Sequence, residues 1–216
     1  MKPYDLIVFD WDGTLMDSAA LIAESMQAAC RSLGLEPPTT TTARHVIGMS
    51  MLAAVRHAVP HLPEADFPAL FEQYRRHYLS REAELQPFEG VSALLQRLEG
   101  EGRLLAVATG KPRIGLERAF QATGFKRHFA ASRCADESRP KPAPDMLQHL
   151  IDVSGVAPAR TLMIGDTSHD LQMAANAGVD AVAVTYGAQP PETLRQHPAR
   201  AYLGSVAALS AWLRED

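Results

Sequence analysis

Continuous apolar runs alternate with amphipathic segments along most of this chain. The first run, Leu6-Ile7-Val8-Phe9, is typical of a strand buried on both faces of a parallel sheet. Similar runs recur, and the strands predicted from them are 6–9, 104–109, a weak strand at 129–132, 161–165, 181–185 and an edge strand at 201–203. Between these runs apolar residues return at helical spacing, for example over 91–98. Strands that alternate with helices favour right-handed crossovers and a doubly wound parallel sheet of the α/β class.

The segment between the first two strands is different, because all of its patterns are helical. The helices predicted there are one through 22–33, one over 43–59 that is interrupted near Gly48, and one that carries Phe67, Phe71, Tyr74 and Tyr78. We interpret the aromatic stripe as a packed helix face. We therefore expect a Rossmann-like core domain of residues 1–16 and 86–216 with an inserted all-helical cap domain of residues 17–85.

Charged and hydroxyl side chains stand where several strands end. Asp10 and Asp12 follow the first strand, and the two-residue period of a strand projects them the same way. Thr109 ends the second strand, Asp166 follows the strand at 161–165, and Lys141 lies in the loop beyond the third strand. Each residue alone has an ordinary explanation as a turn, cap or solvated loop residue. Because ligands bind outside the carboxyl ends of strands in a doubly wound sheet, we predict that these side chains form one site.

These residue types suit phosphoryl transfer through a carboxylate. A carboxylate can approach a phosphate only when cations mask the negative charge of both groups. Mg²⁺ between Asp10, Asp166 and a phosphate oxygen would supply part of this masking, because it prefers oxygen ligands. Lys141 would add a point charge, and Thr109 with nearby backbone N–H groups would bind the remaining oxygens. Asp12, held off the metal, would protonate the leaving alkoxide and later activate water.

Four motifs, in order, resemble those of the haloacid dehalogenase superfamily. They are Asp10-x-Asp12-Gly13-Thr14, Thr109-Gly110, Lys141-Pro142 and Gly165-Asp166-x-x-x-Asp170, and together they span nearly the whole chain. More narrowly, the chain resembles the phosphoglycolate-phosphatase-like members, which carry a small helical cap between the first two motifs. The resemblance implies a hydrolase of phosphoric monoesters with Mg²⁺ as its cofactor.

The same resemblance implies a role for each motif residue. It makes Asp10 the nucleophile and Asp12 the general acid and base. It places Mg²⁺ on the Asp10 side chain, the Asp12 main-chain carbonyl and the Asp166 side chain. Asp170 then orients Lys141 or metal-bound water. The implied phosphate ligands are Thr109, Gly110 and Lys141, and the candidate cap residues for substrate specificity are Arg44, His45, Gly48, Met49 and Ser50.

Two other kinds of function stay open at this point. Sugar phosphomutases of the β-phosphoglucomutase type resemble the chain overall, but they typically carry Glu where Gly165 stands. A phospho-receiver also places acids, a threonine and a lysine around Mg²⁺, although receivers have no helical cap, and a binding protein with an inactive site is a related alternative. Turnover of a generic aryl phosphate separates an enzyme from both non-catalytic alternatives.

Composition narrows the expected partners and location. Of the 216 residues, 46% are hydrophobic and 21% are charged, and the formal net charge of -4 gives no indication of nucleic acid or an anionic membrane as a partner. Only two cysteines occur, Cys30 and Cys134, which fits a reducing compartment better than a disulfide framework. We see no secretory signal and no apolar run long enough to cross a membrane. We expect a cytoplasmic enzyme, monomeric or homodimeric, that acts on a small phosphorylated metabolite.

Overall fold

A six-stranded parallel sheet forms the centre of the fold, as the sequence predicts. The computed structural model describes residues 4–214. The strands are β1 (Leu6–Phe9), β2 (Leu104–Thr109), β3 (Ala131–Cys134), β4 (Thr161–Gly165), β5 (Asp180–Val184) and β6 (Tyr202–Leu203). They pair in the order β3-β2-β1-β4-β5-β6, and every pair is parallel. The strand order changes direction at β1, so the crevice where doubly wound folds bind ligands lies at the carboxyl end of β1.

Ten α-helices occur in the described residues. They are α1 (Ala19–Ser32), α2 (Thr40–His45), α3 (Met51–Ala58), α4 (Phe67–Arg81), α5 (Val91–Gly100), α6 (Arg113–Thr123), α7 (Asp145–Ser154), α8 (Ser168–Ala177), α9 (Pro191–Leu194) and α10 (Val206–Trp212). Short 3-10 helices connect several of them. None of the helices in residues 4–214 has the length and apolarity that crossing a membrane requires.

Two apolar layers cover the two faces of the sheet, and β1 contributes to both. Ile7 and Phe9 belong to one buried cluster, which includes side chains of α5, α6 and α10. Leu6 and Val8 belong to the other cluster, which includes side chains of α7, α8 and α9. Alternate residues of a strand point to opposite faces, so an uninterrupted apolar run is what a strand buried on both faces requires.

Helices α1–α4 lie between β1 and β2 in the chain and share a separate apolar cluster. This cluster includes Met26 and Cys30 of α1, Val55 of α3, and Phe67 and Leu70 of α4. The inserted helices are therefore not simply an extension of the layers that cover the sheet. The division into a core domain and a cap domain at the stated boundaries stays a prediction.

Several element boundaries differ from the expected ones. The predicted interruption near Gly48 is present, but the first of the two helices begins at Thr40 and not at residue 43, because the Thr39 side chain accepts a hydrogen bond from Thr42 N and caps the helix. The weak strand expected at 129–132 is β3, displaced by two residues along the chain. Helix α10 was not predicted, because its seven residues are too few for a clear helical period.

The Trp11→Ala substitution should destabilise the fold strongly. Trp11 is fully buried, with its ring centroid 5.2 Å from that of Phe120 and 6.4 Å from that of Phe129. Removing a buried aromatic side chain from a core costs about 3–5 kcal/mol. Urea unfolding measures the loss, with Ile114→Ala, an exposed position on α6, as the control. A loss below about 0.5 kcal/mol, the usual range for surface substitutions, would contradict this account of the core.

Candidate active site

The nucleophile candidate Asp10 lies at the carboxyl end of the central strand. Phe9, the last residue of β1, pairs with Val107 of β2 and Ile164 of β4, and the Asp10 N–H donates to the Ile164 carbonyl at 2.9 Å. The Asp10 side chain is buried, and within residues 4–214 its Oδ2 accepts no hydrogen bond. A buried carboxylate oxygen without a partner is costly unless a ligand or metal ion supplies one.

Lys141 links Asp10 to a second buried carboxylate. Its Nζ lies 2.8 Å from Asp10 Oδ1 and 2.6 Å from Asp170 Oδ1, and all three side chains are almost fully buried. Asp170 is the third residue of α8, and its Oδ2 accepts hydrogen bonds from the N–H and the hydroxyl of Thr167. The bond from the Thr167 N–H is one half of a capping box, and the other half joins the Asp170 N–H to the Thr167 side chain. The start of α8 therefore orients Asp170, and Asp170 in turn orients Lys141.

Asp166 is held by two segments that are far apart in the sequence. Its Oδ1 accepts a hydrogen bond from the Thr14 hydroxyl at 2.8 Å, and its Oδ2 accepts one from the Ala188 N–H at 2.7 Å. Asp166 follows β4 directly and is fully buried. The alternative role as a helix N-cap does not apply, because Thr167 occupies that position.

Asp12 points away from this group of carboxylates toward a different set of partners. Its Oδ1 accepts a hydrogen bond from the Ser18 hydroxyl at 2.7 Å, and its Oδ2 lies 3.0 Å from Lys111 Nζ. Ser18 is the N-cap residue of α1, but its side chain makes no capping hydrogen bond. The two acids of the first motif thus have different surroundings. Both oxygens of Asp12 have partners, whereas Asp10 Oδ2 has none within residues 4–214.

Sequence reasoning missed Lys111 and Tyr78. Lys111 Nζ donates a hydrogen bond to the Tyr78 hydroxyl at 3.0 Å as well as pairing with Asp12. The position of Lys111, two residues after Thr109, is a signal that the sequence did contain. Tyr78 carried no such signal, because a stripe of aromatic residues at helical spacing is most often packing.

The inserted segment closely approaches the core at Thr109 and Gly110. Thr109 is buried at the end of β2, and its hydroxyl accepts a hydrogen bond from the Lys111 N–H at 3.1 Å. A Cβ added to Gly110 would lie 2.6 Å from the Gly48 carbonyl oxygen and 2.8 Å from that of Met49. Only a glycine permits so close an approach, so the loop between α2 and α3 contacts the core at this motif.

Arg44 and His45 contact the core at a loop beside Asp166. Arg44 donates to the Gly187 carbonyl at 2.7 Å and to the Ala188 carbonyl at 3.0 Å. The His45 carbonyl lies 3.2 Å from His169 Nε2 and accepts a hydrogen bond from it in the ring tautomer that carries the hydrogen on Nε2. In this structure Arg44 is thus engaged by backbone carbonyls of the loop that positions Asp166. Ser50 caps α3 by accepting a hydrogen bond from Ala53 N, and its role in specificity stays a prediction.

The carboxylates can hold a metal ion. One carboxylate oxygen from each of Asp10, Asp166 and Asp170 lies within 4.8 Å of the others. The unpartnered Oδ2 of Asp10 fits an oxygen-binding cation, because nothing else in residues 4–214 satisfies it. Asp170 pairs with the Lys141 ammonium group and accepts two further hydrogen bonds from Thr167. Asp10 keeps its unpartnered Oδ2 and Asp166 accepts only from neutral donors, so these two are the better direct ligands.

Burial dominates the electrostatics of these groups. It raises the pKa of the Asp10 carboxyl well above its usual range, an effect that Lys141 opposes and that Asp170 and Asp166 increase. Burial and the neighbouring Asp170 likewise raise the pKa of Asp166 to about 7, although Ala188 and Thr14 donate to it. Burial by itself would lower the pKa of Lys141, but Asp10 and Asp170 outweigh it and hold this pKa above its ordinary value.

Comparisons with known proteins agree with this arrangement. The family described as haloacid dehalogenase-like hydrolase matches residues 7–184. A 5'-nucleotidase of Pseudomonas aeruginosa is 32% identical over 95% of this chain and 94% of its own length. A phosphoglycolate phosphatase of Agrobacterium fabrum is 33% identical over 84% of this chain and 81% of its own. A solved structure of a predicted phosphoglycolate phosphatase from Haemophilus somnus shares the fold, with a TM-score of 0.86 and 24% identity over 99% of this chain and all of that one.

The raised pKa of Asp166 predicts a pH-dependent stability in metal-free solution. Between its ordinary value of 3.8 and about 7, the native protein keeps a proton that the unfolded chain has released. The free energy of unfolding should therefore fall as the pH rises through this window. Urea unfolding in EDTA from pH 4 to 8 tests this, with the Asp166→Asn variant as the comparison, since it should show a shallower slope. If the free energy of unfolding changed with pH at the same slope in both proteins, the raised pKa of Asp166 would be contradicted.

Proposed function

The chain belongs to the haloacid dehalogenase-like hydrolase family and is a phosphoric monoester hydrolase, and from this premise we propose its cofactor, substrate class and intermediate. The proposed enzyme uses Mg²⁺, acts on a small metabolite phosphate similar to phosphoglycolate, and forms an aspartyl-phosphate on Asp10. The observation that carries the proposal is the buried, unpartnered Oδ2 of Asp10 beside the ammonium group of Lys141.

In the first step Asp10 attacks phosphorus, and the bond between phosphorus and the leaving oxygen breaks. Asp12 enters this step protonated and gives that proton to the leaving alkoxide, which departs as an alcohol, so Asp12 is ionised when the step ends. In the second step Asp12 takes a proton from water, which hydrolyses the aspartyl-phosphate and returns the Asp10 carboxylate with inorganic phosphate. The different surroundings of the two acids support these two roles, because Asp12 lies outside the carboxylate group of Asp10.

The remaining charged groups act on the phosphate. Mg²⁺ held by the Asp10 and Asp166 side chains and the Asp12 main-chain carbonyl would mask negative charge as the two anions meet. Lys141 stabilises the transferring group as a fixed cation, and Asp170 keeps it in place. Thr109 and the Gly110 N–H bind phosphate oxygens at the end of β2.

A specific contact favours hydrolysis over mutase chemistry. The mutases that this chain resembles carry Glu at the position of Gly165. A Cβ added to Gly165 here would lie 2.3–2.5 Å from side-chain atoms of Asp170. Any side chain at that position would displace the carboxylate that holds Lys141, so the arrangement supports a phosphatase.

We assign residues 17–85 the role of a cap that covers the substrate. The contact of Gly48 and Met49 with Gly110 supports this, because it sets the inserted loop directly against the proposed phosphate-binding motif. Such closure excludes bulk water and selects substrates by size. The crevice between this segment and the core has a volume of about 490 Å³ and is lined by Met49, Ser50, Leu52, Ala53, Arg56, His57 and Pro140. The lining includes Met49, whose carbonyl lies against Gly110, and we assign this crevice to the part of the substrate beyond the phosphate.

The first test is hydrolysis of nitrophenyl phosphate and of a panel of metabolite phosphates by the purified protein. Activity should require Mg²⁺ and disappear after exhaustive EDTA treatment.

The Asp10→Asn variant should lose turnover to background, because an amide keeps the shape of the side chain but is no nucleophile. Circular dichroism checks that the variant is folded. Activity near wild type in a clean preparation of the variant would remove Asp10 from the nucleophile role.

The Asp12→Asn variant separates the acid from the nucleophile. Attack by Asp10 can still occur when the leaving group is nitrophenolate, whereas an alkyl phosphate needs the proton. The first step should therefore fall by about 10²–10⁴-fold on an alkyl phosphate and far less on nitrophenyl phosphate. A rapid-mixing burst of nitrophenolate, compared with single-turnover alkyl hydrolysis, measures the first step on each substrate. Equal losses on both substrates would mean that Asp12 is not the proton donor.

A further inference from the structure

Lys111 joins the first motif to the inserted helices. Its Nζ lies 3.0 Å from Asp12 Oδ2 and 3.0 Å from the Tyr78 hydroxyl, to which it donates a hydrogen bond. The side chains of Lys111 and Asp12 are each about 10% exposed, so this ion pair is largely removed from water. This ion pair describes Asp12 in its ionised form, the form that it has after donating its proton and before it accepts one from water. A buried ion pair holds its geometry closely, because a displaced partner leaves an uncompensated charge.

The contact with Tyr78 involves the ring as well as the hydroxyl. Lys111 Nζ lies 4.8 Å from the centroid of the Tyr78 ring, a distance at which a cation and an aromatic face attract each other. Tyr78 is itself buried on α4, and its ring stacks with that of Tyr74 at 6.0 Å. The location of the Lys111 ammonium group is thus tied to the location of α4.

The two oxygens of Asp12 are held from different directions. Ser18, at the start of the inserted segment, donates to Oδ1, while Lys111 holds Oδ2 and is contacted by α4. Lys111 therefore has different partners from Lys141, whose ammonium group contacts Asp10 and Asp170. Lys111 is therefore engaged by the acid and base candidate and not by the carboxylates beside the phosphate site.

We propose that Lys111 and Tyr78 are positioning residues for Asp12. They hold its carboxylate in the orientation that proton transfer requires, and they make this orientation depend on the placement of α4 over the site. The inference rests on the proposed function, because it assumes that Asp12 donates the proton to the leaving group. The inference adds two residues to the proposed function, Lys111 in the core and Tyr78 in the inserted helices. Both act through Asp12 and not on the phosphate.

The test compares the first chemical step on two substrates in the Lys111→Met and Tyr78→Phe variants. In each variant the rate on an alkyl phosphate should fall about tenfold more than the rate on nitrophenyl phosphate, as expected for loss of one hydrogen bond to a charged group. The KM for nitrophenyl phosphate should stay near that of the wild type. Tyr78→Phe in the Lys111→Met background should add little further loss, since the two residues act in one chain of contacts.

Tyr74→Phe is the matched control, because it removes the same atom from the neighbouring ring of α4 while the hydrogen bond of Lys111 to Tyr78 is kept. It should change both rates equally or not at all. Equal losses on the two substrates in Tyr78→Phe, or no loss, would overturn the inference and leave these residues a structural role. If Lys111→Met fails to fold, Tyr78→Phe decides alone, since it removes a single hydroxyl.

The Asp12→Asn variant distinguishes this failure from failure of the proposed function. If Asp12→Asn discriminates between the substrates and the other two variants do not, only the inference is wrong. If Asp12→Asn does not discriminate, the proton-donor role of Asp12 is wrong, and the inference that depends on it is overturned as well.

Discussion

Three carboxylates and one ammonium group share a buried space at the end of β1. Asp10, Asp166 and Asp170 lie close enough for one metal ion to reach all of them, while Lys141 contacts two of the three. Buried charge of one sign is costly unless cations and hydrogen-bond donors compensate it. Much of the surrounding structure serves that compensation, including the capping box of α8 and the Thr14 and Ala188 donors on Asp166. Among these three carboxylates, Asp10 Oδ2 is the oxygen that no partner within residues 4–214 satisfies, and the proposed chemistry begins there.

The two acids of the first motif show how environment assigns different roles to identical side chains. Asp10 is surrounded by buried carboxylates and a lysine, and its pKa is raised by burial. Asp12, two residues later, has a serine hydroxyl on one oxygen and a lysine on the other. Pairs of titratable groups in contrasting environments are a general feature of sites that use one acid as nucleophile and another for proton transfer. The proposed mechanism uses this contrast directly.

The inserted helices reach the site through several small contacts. Gly48 and Met49 approach Gly110, Arg44 binds the carbonyls beside Asp166, and Tyr78 meets the lysine that holds Asp12. Each contact lies at a different part of the core: Gly110 itself, the loop that donates to Asp166, and the lysine that pairs with Asp12. A movement of these helices would therefore change the surroundings of Gly110, Asp166 and Asp12 at the same time, which is how a cap can couple substrate enclosure to chemistry in the proposed mechanism.

The sequence alone predicted much of the fold and the composition of the site. Apolar runs of four to six residues predicted the central strands. The sequence pattern predicted that Asp10, Thr109 and Asp166 stand at the carboxyl ends of strands and form one site, since parallel strands present their carboxyl ends at one edge. The start of α2 and the existence of α10 were missed, because short helices depend on caps and tertiary packing more than on period.

The sequence by itself determined which charged groups belong to the site and which strand ends carry them. The reason is that the period of a strand and the parallel arrangement of the sheet both follow from local patterns of residues. What only the tertiary structure decided was the partner of each group. Ser18, the N-cap residue of α1, contacts Asp12 and does not cap the helix with its side chain, and Lys111 contacts Tyr78, 33 residues away in the chain. Arg44 binds a carbonyl 143 residues away. Such pairings depend on how separate elements pack together, and no local pattern contains that information.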